Sequence, residues 1–119
     1  MIYNNNEKLK ALLVHARKLI ENENSWIKGK SAADAAGFRC SIVSPLACQF
    51  CSSGALINSF HSLNYDESEC YLTLSACCEL LLYDSVGKKA HDLIQFNDIP
   101  STKHKDILKL FDDAIERLT

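Results

Sequence analysis

The chain has few of the residues that interrupt regular structure, with two prolines and four glycines among 119 residues. Such a composition excludes a collagen-like repeat, a proline-rich linker and a low-complexity tract. Its apolar runs are also far shorter than the ~18 residues of a membrane-spanning helix, so we expect no membrane association. The first ten residues lack a basic start followed by an apolar run, so we expect no signal peptide and a cytoplasmic location.

An excess of positive charge is also missing, because the formal net charge is −2 at pH 7. Small basic groups surround Lys8 and Lys103, but acidic neighbours dilute them and no recognition motif accompanies them. Nucleic acid is therefore disfavoured as a partner. Hydrophobic content of 47% and charged content of 24% are ordinary for a globular protein. We therefore expect one domain over residues 1–119.

The spacing of apolar residues predicts a mainly α protein, a small helical bundle of about four main helices. The first helix is expected after a cap at Asn4, Asn5 or Asn6, the second from Pro45 to about Leu63, the third from Asp66 or Ser68 to about Tyr83, and the last from Ser101 or Thr102 to Leu118. Residues 24–43 and 84–100 are expected to be irregular, and a short β-hairpin is the exception to look for there.

Within the connections, Ser31–Gly37 is predicted to form one or two helical turns and Phe38–Val43 a short extended segment. The segment from Lys88 to Gln95 fits either a short helix or an extended strand. Asp84–Gly87 is expected to end the third helix. Gly54, inside the second predicted helix, is expected to let another backbone or Trp26 pack closely.

The third predicted helix is apolar on two sides, since Tyr71, Leu74 and Leu81 mark one face and Leu72 and Leu80 extend it. Such a helix is either deeply buried or covered by another subunit. Homodimerisation through residues 68–83 is therefore a hypothesis.

Six cysteines raise the questions of zinc and of redox chemistry. A structural zinc site needs four converging ligands, whereas Cys48 and Cys51 fall inside a predicted helix and adjacent Cys77 and Cys78 point about 100° apart on another. Free cysteine more often packs as a small hydrophobe. We expect thiols, no metal and no cofactor.

Asn97, Asp98, His104 and Asp106 form the densest polar group near the start of the last helix. They could converge on that helix N-terminus, a position that favours anions. The same residue types also form turns and helix caps, so the structural interpretation stays open beside a binding role. Trp26 also has two interpretations. It either packs in the core with its indole N–H bonded to a carbonyl, or it anchors a binding partner at the surface.

Two catalytic schemes use these residues. Cys51 could act as a nucleophile with His104 as its base and Asn97 or Asp98 as the orienting group. Alternatively, Asp98 or Asp106 could work with His104 in acid–base catalysis. The predicted position of Cys51, in the second helical turn or beyond, loses the help of the helix dipole, and no known catalytic motif is present. No residue is therefore assigned as catalytic.

Three stretches of the sequence resemble a known family. They are F-N-D at 96–98 followed by T-x-H-x-D-I-L-x-L-F-D-x-A-I at 102–115, W-x-x-G at 26–29, and F-C-x-x-G-A-L at 50–56. The chain resembles a small family of bacterial and phage proteins catalogued only as a domain of unknown function. The resemblance implies no activity. It directs attention to Trp26, Cys51, Asn97, Asp98, His104 and Asp106, while the additional cysteines depart from the family's cysteine-poor pattern.

The leading interpretation is a non-enzymatic protein-interaction module, a phage- or defence-associated inhibitor or accessory protein with a protein partner. The alternative is a small enzyme or ligand-binding protein with a site at Asn97, Asp98, His104 and Asp106. The two differ in geometry. A site requires these residues to line one pocket with Trp26 or Cys51, whereas an interaction module ties them into caps and turns and exposes an apolar patch elsewhere.

Overall fold

A computed structural model describes residues 5–83 and 90–119. The described residues form five α-helices, α1 (Asn6–Leu19), α2 (Ser52–Ser62), α3 (Cys70–Leu81), α4 (Ala90–Asp98) and α5 (His104–Arg117), and two short strands, β1 (Ala32–Ala33) and β2 (Gln49–Phe50). The prediction of a mainly α, single-domain bundle is confirmed. Within these ranges no helix combines the length and apolar character needed to span a membrane.

Helix α1 begins where the sequence predicts it. The side chain of Asn5 accepts a hydrogen bond from the backbone N–H of Lys8 at 3.1 Å, which satisfies one free donor of the first turn. Asn4, another of the three predicted caps, lies outside the described residues. The inward face of α1 is fully apolar, and it consists of Leu9, Leu12, Leu13 and Ala16.

Helix α5 buries the predicted apolar stripe but begins two residues later than expected. Ile107, Phe111 and Ala114 are fully buried. Thr102 does not cap the helix, because its N–H closes the preceding turn on the carbonyl of Ile99 at 2.9 Å. Instead, the carboxylate of Asp106 accepts from the N–H of Lys103 at 2.8 Å, and α5 starts at the next residue.

The core lies where α1 packs between α2 and α5, with α3 against α5 and α4. Phe60 from α2 and Phe111 from α5 are both completely buried there. Burying one such side chain contributes about 1.5–3 kcal/mol, so both phenylalanines contribute substantially to the stability of the bundle.

The predicted start of the second helix at Pro45 is wrong, because α2 begins only at Ser52. The N–H of Ala47 bonds to the carbonyl of Ser44 at 3.0 Å, which makes a turn around Pro45 rather than a helix. The chain then extends as β2, and Cys51 in an extended conformation caps α2. Strand pairing prevails over the local helix-start signal.

The helical turns predicted for Ser31–Gly37 are also wrong. Ala32 and Ala33 form β1, which pairs antiparallel with β2 so that Ala32 faces Phe50. The carboxylate of Asp34 then accepts from the N–H groups of Ala36 and Phe38, both at 3.0 Å, and the chain reverses direction. Arg39 bridges back to Ala33, so one residue of the predicted extended segment 38–43 lies beside β1.

The close approach expected at Gly54 is confirmed, and the neighbour is backbone. A Cβ atom at this position would collide with the carbonyl oxygen of Ser31. The same carbonyl accepts from the N–H of Cys51 at 3.3 Å. The connection before β1 therefore lies directly against the first turn of α2.

Ala90–Asp98 form α4, in agreement with the helical alternative for Lys88–Gln95, although residues 84–100 as a whole were expected to be irregular. Leu93 and Asn97 are one helical turn apart and are both fully buried. The third helix agrees with its prediction, since a short 3-10 turn at Glu67–Glu69, capped by Asp66, leads into α3. The helix end predicted at Asp84–Gly87 lies outside the described residues.

Candidate functional site

The side-chain amide of Asn97 is the hub of the polar cluster. Its Oδ1 accepts from the indole N–H of Trp26 at 2.7 Å and from the N–H and hydroxyl of Ser52 at 3.0 and 3.1 Å. Its Nδ2 donates to the carbonyl of Ile27 at 3.1 Å and to Asp98 at 2.9 Å. Since Asn97 is fully buried and all its polar atoms are engaged, it fastens the connection after α1 to α2 and α4.

Asn97 binds the N-terminus of a different helix from the one predicted. Asn97 and Asp98 close α4, and Asn97 reaches the first N–H of α2 rather than that of α5. The expected convergence of four polar residues on the start of α5 is therefore wrong. A buried amide oxygen at a helix N-terminus satisfies a free donor and suits the helix dipole.

His104 links two helices. Its Nε2–H donates to the carbonyl of Ile20 at 2.7 Å, so the start of α5 is fixed to the end of α1. Its ring also lies 5.8 Å from that of Trp26, centroid to centroid. The imidazole therefore faces Trp26 and a backbone carbonyl, and Asp106, engaged in capping α5, is not its partner.

Cys51 occupies the cap of α2 rather than the helix interior predicted for it. Its Sγ accepts from the N–H of Gly54 at 3.3 Å. Burial nevertheless raises the pKa of the thiol, the N–H groups of Gly54 and Ser53 offset this only in part, and the charge of Asp98 raises the pKa further. Cys51 is therefore a neutral thiol at pH 7, and among the described contacts no imidazole touches it to remove the proton.

Asp98 is the polar candidate that faces solvent. Its Oδ1 accepts from the N–H of Gly29 at 3.0 Å and from Asn97. Gly29 has a φ of 76°, a left-handed conformation that glycine adopts without strain, and this turns its N–H toward the carboxylate.

A pocket of about 100 Å³ lies beside this carboxylate, and we call it the Asp98 pocket. It is lined by Gly29, Lys30, Ser31, Arg39, Cys51, Ile94 and Asp98. Each of the three motif stretches contributes one lining residue, Gly29, Cys51 and Asp98 respectively. Asn97, His104 and Asp106 are not among them.

Lys30 and Arg39 were not among the site residues expected from the sequence. They flank Ser31–Gly37, whose strand and turn were mispredicted, so their common position beside the pocket was not visible. The sole signal for Lys30 was its place directly after the W-x-x-G stretch.

All six cysteines are free thiols. Cys48 is exposed, whereas Cys77 and Cys78 are buried on α3. Across residues 5–83 and 90–119, no group of three or more His, Cys, Asp or Glu side chains has an arrangement that could hold a metal ion.

These features define the class of protein: a small, mainly helical domain with a buried amide hub beside a charged pocket. Residues 4–117 match a family described as a family of unknown function, DUF6197, and the chain belongs to that family. The family resemblance drawn from the three stretches is thereby confirmed. No curated protein and no solved structure matches the chain.

Proposed function

We propose that the protein is a non-enzymatic protein-interaction module that binds its partner through residues 38–46, which we call the apolar loop. Phe38 and Leu46 are each 71% exposed and Val43 is 55% exposed, although all three are large and apolar. Single exposed apolar side chains are common on protein surfaces, but three in one short irregular segment are typical of an interaction site. This exposure is the observation that carries the proposal.

The backbone of the apolar loop is held in place. Its ends are fixed to β1, since Cys40 donates to the carbonyl of Ala32 at 3.2 Å and Cys48 to that of Ala33 at 3.0 Å. Its middle is fixed to α2, because the amide of Asn58 donates to the carbonyl of Ile42 at 2.8 Å. A loop that is already ordered loses less conformational entropy when it binds, which favours affinity.

The charge around the loop indicates the kind of partner. Residues 26–50 contain three cationic side chains, Lys28, Lys30 and Arg39, and one anionic side chain, Asp34, whereas the whole chain has a net charge of −2. A partner that covers this region is therefore expected to present an apolar surface with acidic groups at its edge. An inhibitor or accessory protein, phage- or defence-associated, is the role we propose for such a module.

The engagement of the polar cluster supports this proposal over a catalytic centre. Asn97 uses both of its polar atoms in internal hydrogen bonds, His104 donates through Nε2 to a backbone carbonyl, and Asp106 accepts through Oδ2 in a helix cap. A catalytic pair needs polar atoms that are free to meet a substrate.

A second exposed apolar surface lies on α3, where Tyr71 is 81% exposed and Leu72 is 38% exposed. It supports self-association through this helix, the homodimer suggested by the sequence. The two surfaces are separable, because they lie on different elements.

The test is affinity capture followed by binding of the identified partner in purified form. We compare the wild type with a Phe38→Ser, Leu46→Ser double variant, a Tyr71→Ser variant and a Val14→Ser control, which removes an exposed apolar side chain from α1. We expect the loop variant to weaken binding at least about tenfold, and the control to bind like wild type. Added salt should also weaken binding, since acidic groups meet Lys28 and Arg39.

Unchanged binding by the folded loop variant would contradict the assignment of this surface. Loss of binding in Tyr71→Ser alone would move the contact to α3. Analytical ultracentrifugation of the same variants separates self-association from binding of a different protein, because only a dimer changes the mass of the isolated chain.

A further inference from the structure

Opposite charges line the Asp98 pocket without neutralising one another. Lys30, Arg39 and Asp98 all border it. Within the described part of the chain, none of the three forms an ion pair with another. The ammonium of Lys30 donates to the carbonyl of Gly37 at 2.7 Å, and the guanidinium of Arg39 reaches only the carbonyl of Gly29 at 3.4 Å.

Both charged ends have hydrogen-bonding capacity left. The two donors to Asp98 both end on Oδ1, so among the described contacts Oδ2 receives none. A guanidinium has five N–H donors, and the described contacts of Arg39 use one of them. A residue with an unused acceptor and a residue with unused donors therefore border the same small pocket.

The size of the pocket limits what fits. A cavity of about 150 Å³ holds benzene, which has six non-hydrogen atoms, so a pocket of about 100 Å³ holds a group of about four to five. Ile94, which is 43% exposed, borders the pocket and so brings it to the protein surface. A larger substituent of the ligand can therefore extend into solvent.

From these observations we propose that the Asp98 pocket binds the head group of a free α-amino acid. The ammonium of the ligand donates to Asp98, and its carboxylate accepts from the guanidinium of Arg39. This head group has five non-hydrogen atoms and carries both charges. The proposal shares Arg39 with the apolar loop but depends on neither Phe38 nor Leu46, so variants at Phe38 and Leu46 test the loop separately from the pocket.

A ligand with a single charge fits this pocket less well. A plain carboxylate would lie beside Asp98 and be repelled by it, and a plain amine would meet Arg39 and Lys30. Like charges a few ångströms apart at a protein surface oppose binding by an amount comparable to one good ion pair. A zwitterion meets both signs at once and compensates each of them.

The experiment is a titration of the full chain, observed by backbone amide NMR shifts and by calorimetry. Glycine and alanine are the probes, and acetate and methylammonium are the singly charged comparisons. We expect the two amino acids to shift the amides of residues 29–31 and 51, with affinity at least about tenfold above either comparison compound.

Two variants test the two contacts. Arg39→Gln removes the donor fork from an exposed side chain, so the fold should be unaffected, and Asp98→Asn removes the negative charge while keeping an acceptor for Gly29. Each should weaken glycine binding at least about tenfold, since each removes a charge-assisted hydrogen bond. Lys105→Gln is the matched control, because Lys105 is an exposed cation that does not line the pocket, and it should bind like wild type.

Three results would overturn the proposal. The first is the absence of any shift with either amino acid at millimolar concentration. The second is acetate or methylammonium binding as tightly as glycine, which would leave a pocket for one charge but not for an amino acid. The third is full binding by a folded Arg39→Gln variant. None of these results bears on capture of a protein by the apolar loop, so the two proposals fail separately.

Discussion

At the scale of single residues, Asn97 concentrates more hydrogen bonds than any other side chain discussed above. One buried oxygen accepts three donors from two different segments, Trp26 and Ser52. Removal of a buried acceptor leaves each donor without a partner, which costs about 1–3 kcal/mol per group.

Asn97→Ala should therefore lower the free energy of unfolding by about 3–5 kcal/mol, because the donors of Trp26 and Ser52 both lose their acceptor. Urea denaturation followed by circular dichroism measures the change. Gln95→Ala is the control on the same helix, since Gln95 is exposed, and it should change the stability by less than about 0.5 kcal/mol. A loss below about 1 kcal/mol in Asn97→Ala would mean that the hub contributes little.

A buried thiol links stability to alkaline pH. Burial, with a smaller contribution from the charge of Glu79, raises the pKa of Cys78 to about 11. An unfolded chain ionises its thiols from about pH 8.5. The unfolded state therefore releases this proton first, and the stability that Cys78 contributes is lost as the pH rises from about 8.5 toward 11.

Between pH 8.5 and pH 10 we expect the wild type to lose about 2 kcal/mol more stability than Cys78→Ala, because the variant has no thiol to ionise at that position. Denaturation at each pH under reducing conditions gives the two slopes. Cys48→Ala removes an exposed thiol and should keep the wild-type slope. Equal slopes in wild type and Cys78→Ala would show that the thiol ionises as easily in the folded state as in the unfolded one.

Several residues that the sequence singled out are important in the structure, but their roles there differ from the predicted ones. The family stretches directed attention to Trp26, Asn97 and Asp98, which hydrogen bonds join in the structure, and to Cys51, which borders the Asp98 pocket. Their roles could not be predicted, because the partner of Trp26 is 71 residues away in the chain. Lys30 had only its place directly after the W-x-x-G stretch as a signal, and Arg39 had none, since a charged side chain in a loop is usually only solvated.

At the scale of elements, periodicity succeeded where a helix lies on the core and failed where pairing is long-range. Helices α1 and α5 have a clear apolar face, and both were located within a few residues. The Ser44–Pro45 helix start and the alanine-rich Ser31–Gly37 segment were misassigned because β1 and β2 pair across 15 residues of connection. A strand of two residues is too short to show an alternating pattern of apolar and polar residues in the sequence.

The contact between α2 and the segment before β1 leads to a test. Gly54→Ala places a methyl group against the carbonyl of Ser31, which is backbone and is itself bonded to Cys51. Although alanine favours helix by about 1 kcal/mol, we expect a net loss of stability of about 1–3 kcal/mol, because the backbone must move to make room. Thermal and urea denaturation measure this loss.

Ser53→Ala is the neighbouring control, since Ser53 lies in the same helical turn and is only partly buried. It should change the stability by less than about 1 kcal/mol. A Gly54→Ala variant that is as stable as wild type, or more so, would show that the Ser31 backbone yields easily and that the close approach is not a constraint.

At the scale of the whole molecule, the fold class was accessible and the site was not. The Cα radius of gyration of 13.2 Å agrees with the value of about 13.5 Å expected for one compact domain of this length. A mainly helical bundle follows from composition and periodicity. The Asp98 pocket forms only where residues 29–31, Arg39, Cys51 and Asp98 meet, and their meeting depends on the packing of α2 against α4.

The span of the Asn97 hub also has a consequence for biosynthesis. A chain made from its N-terminus can wind α1 and α2 early, but the donors of Trp26 and Ser52 have no acceptor until residue 97 has left the ribosome. Until then the indole and the first turn of α2 remain hydrated. The hydrogen bonds that join Trp26 and Ser52 therefore form only after α4 has emerged, and the core closes later still, when α5 adds its buried face to α1 and α3.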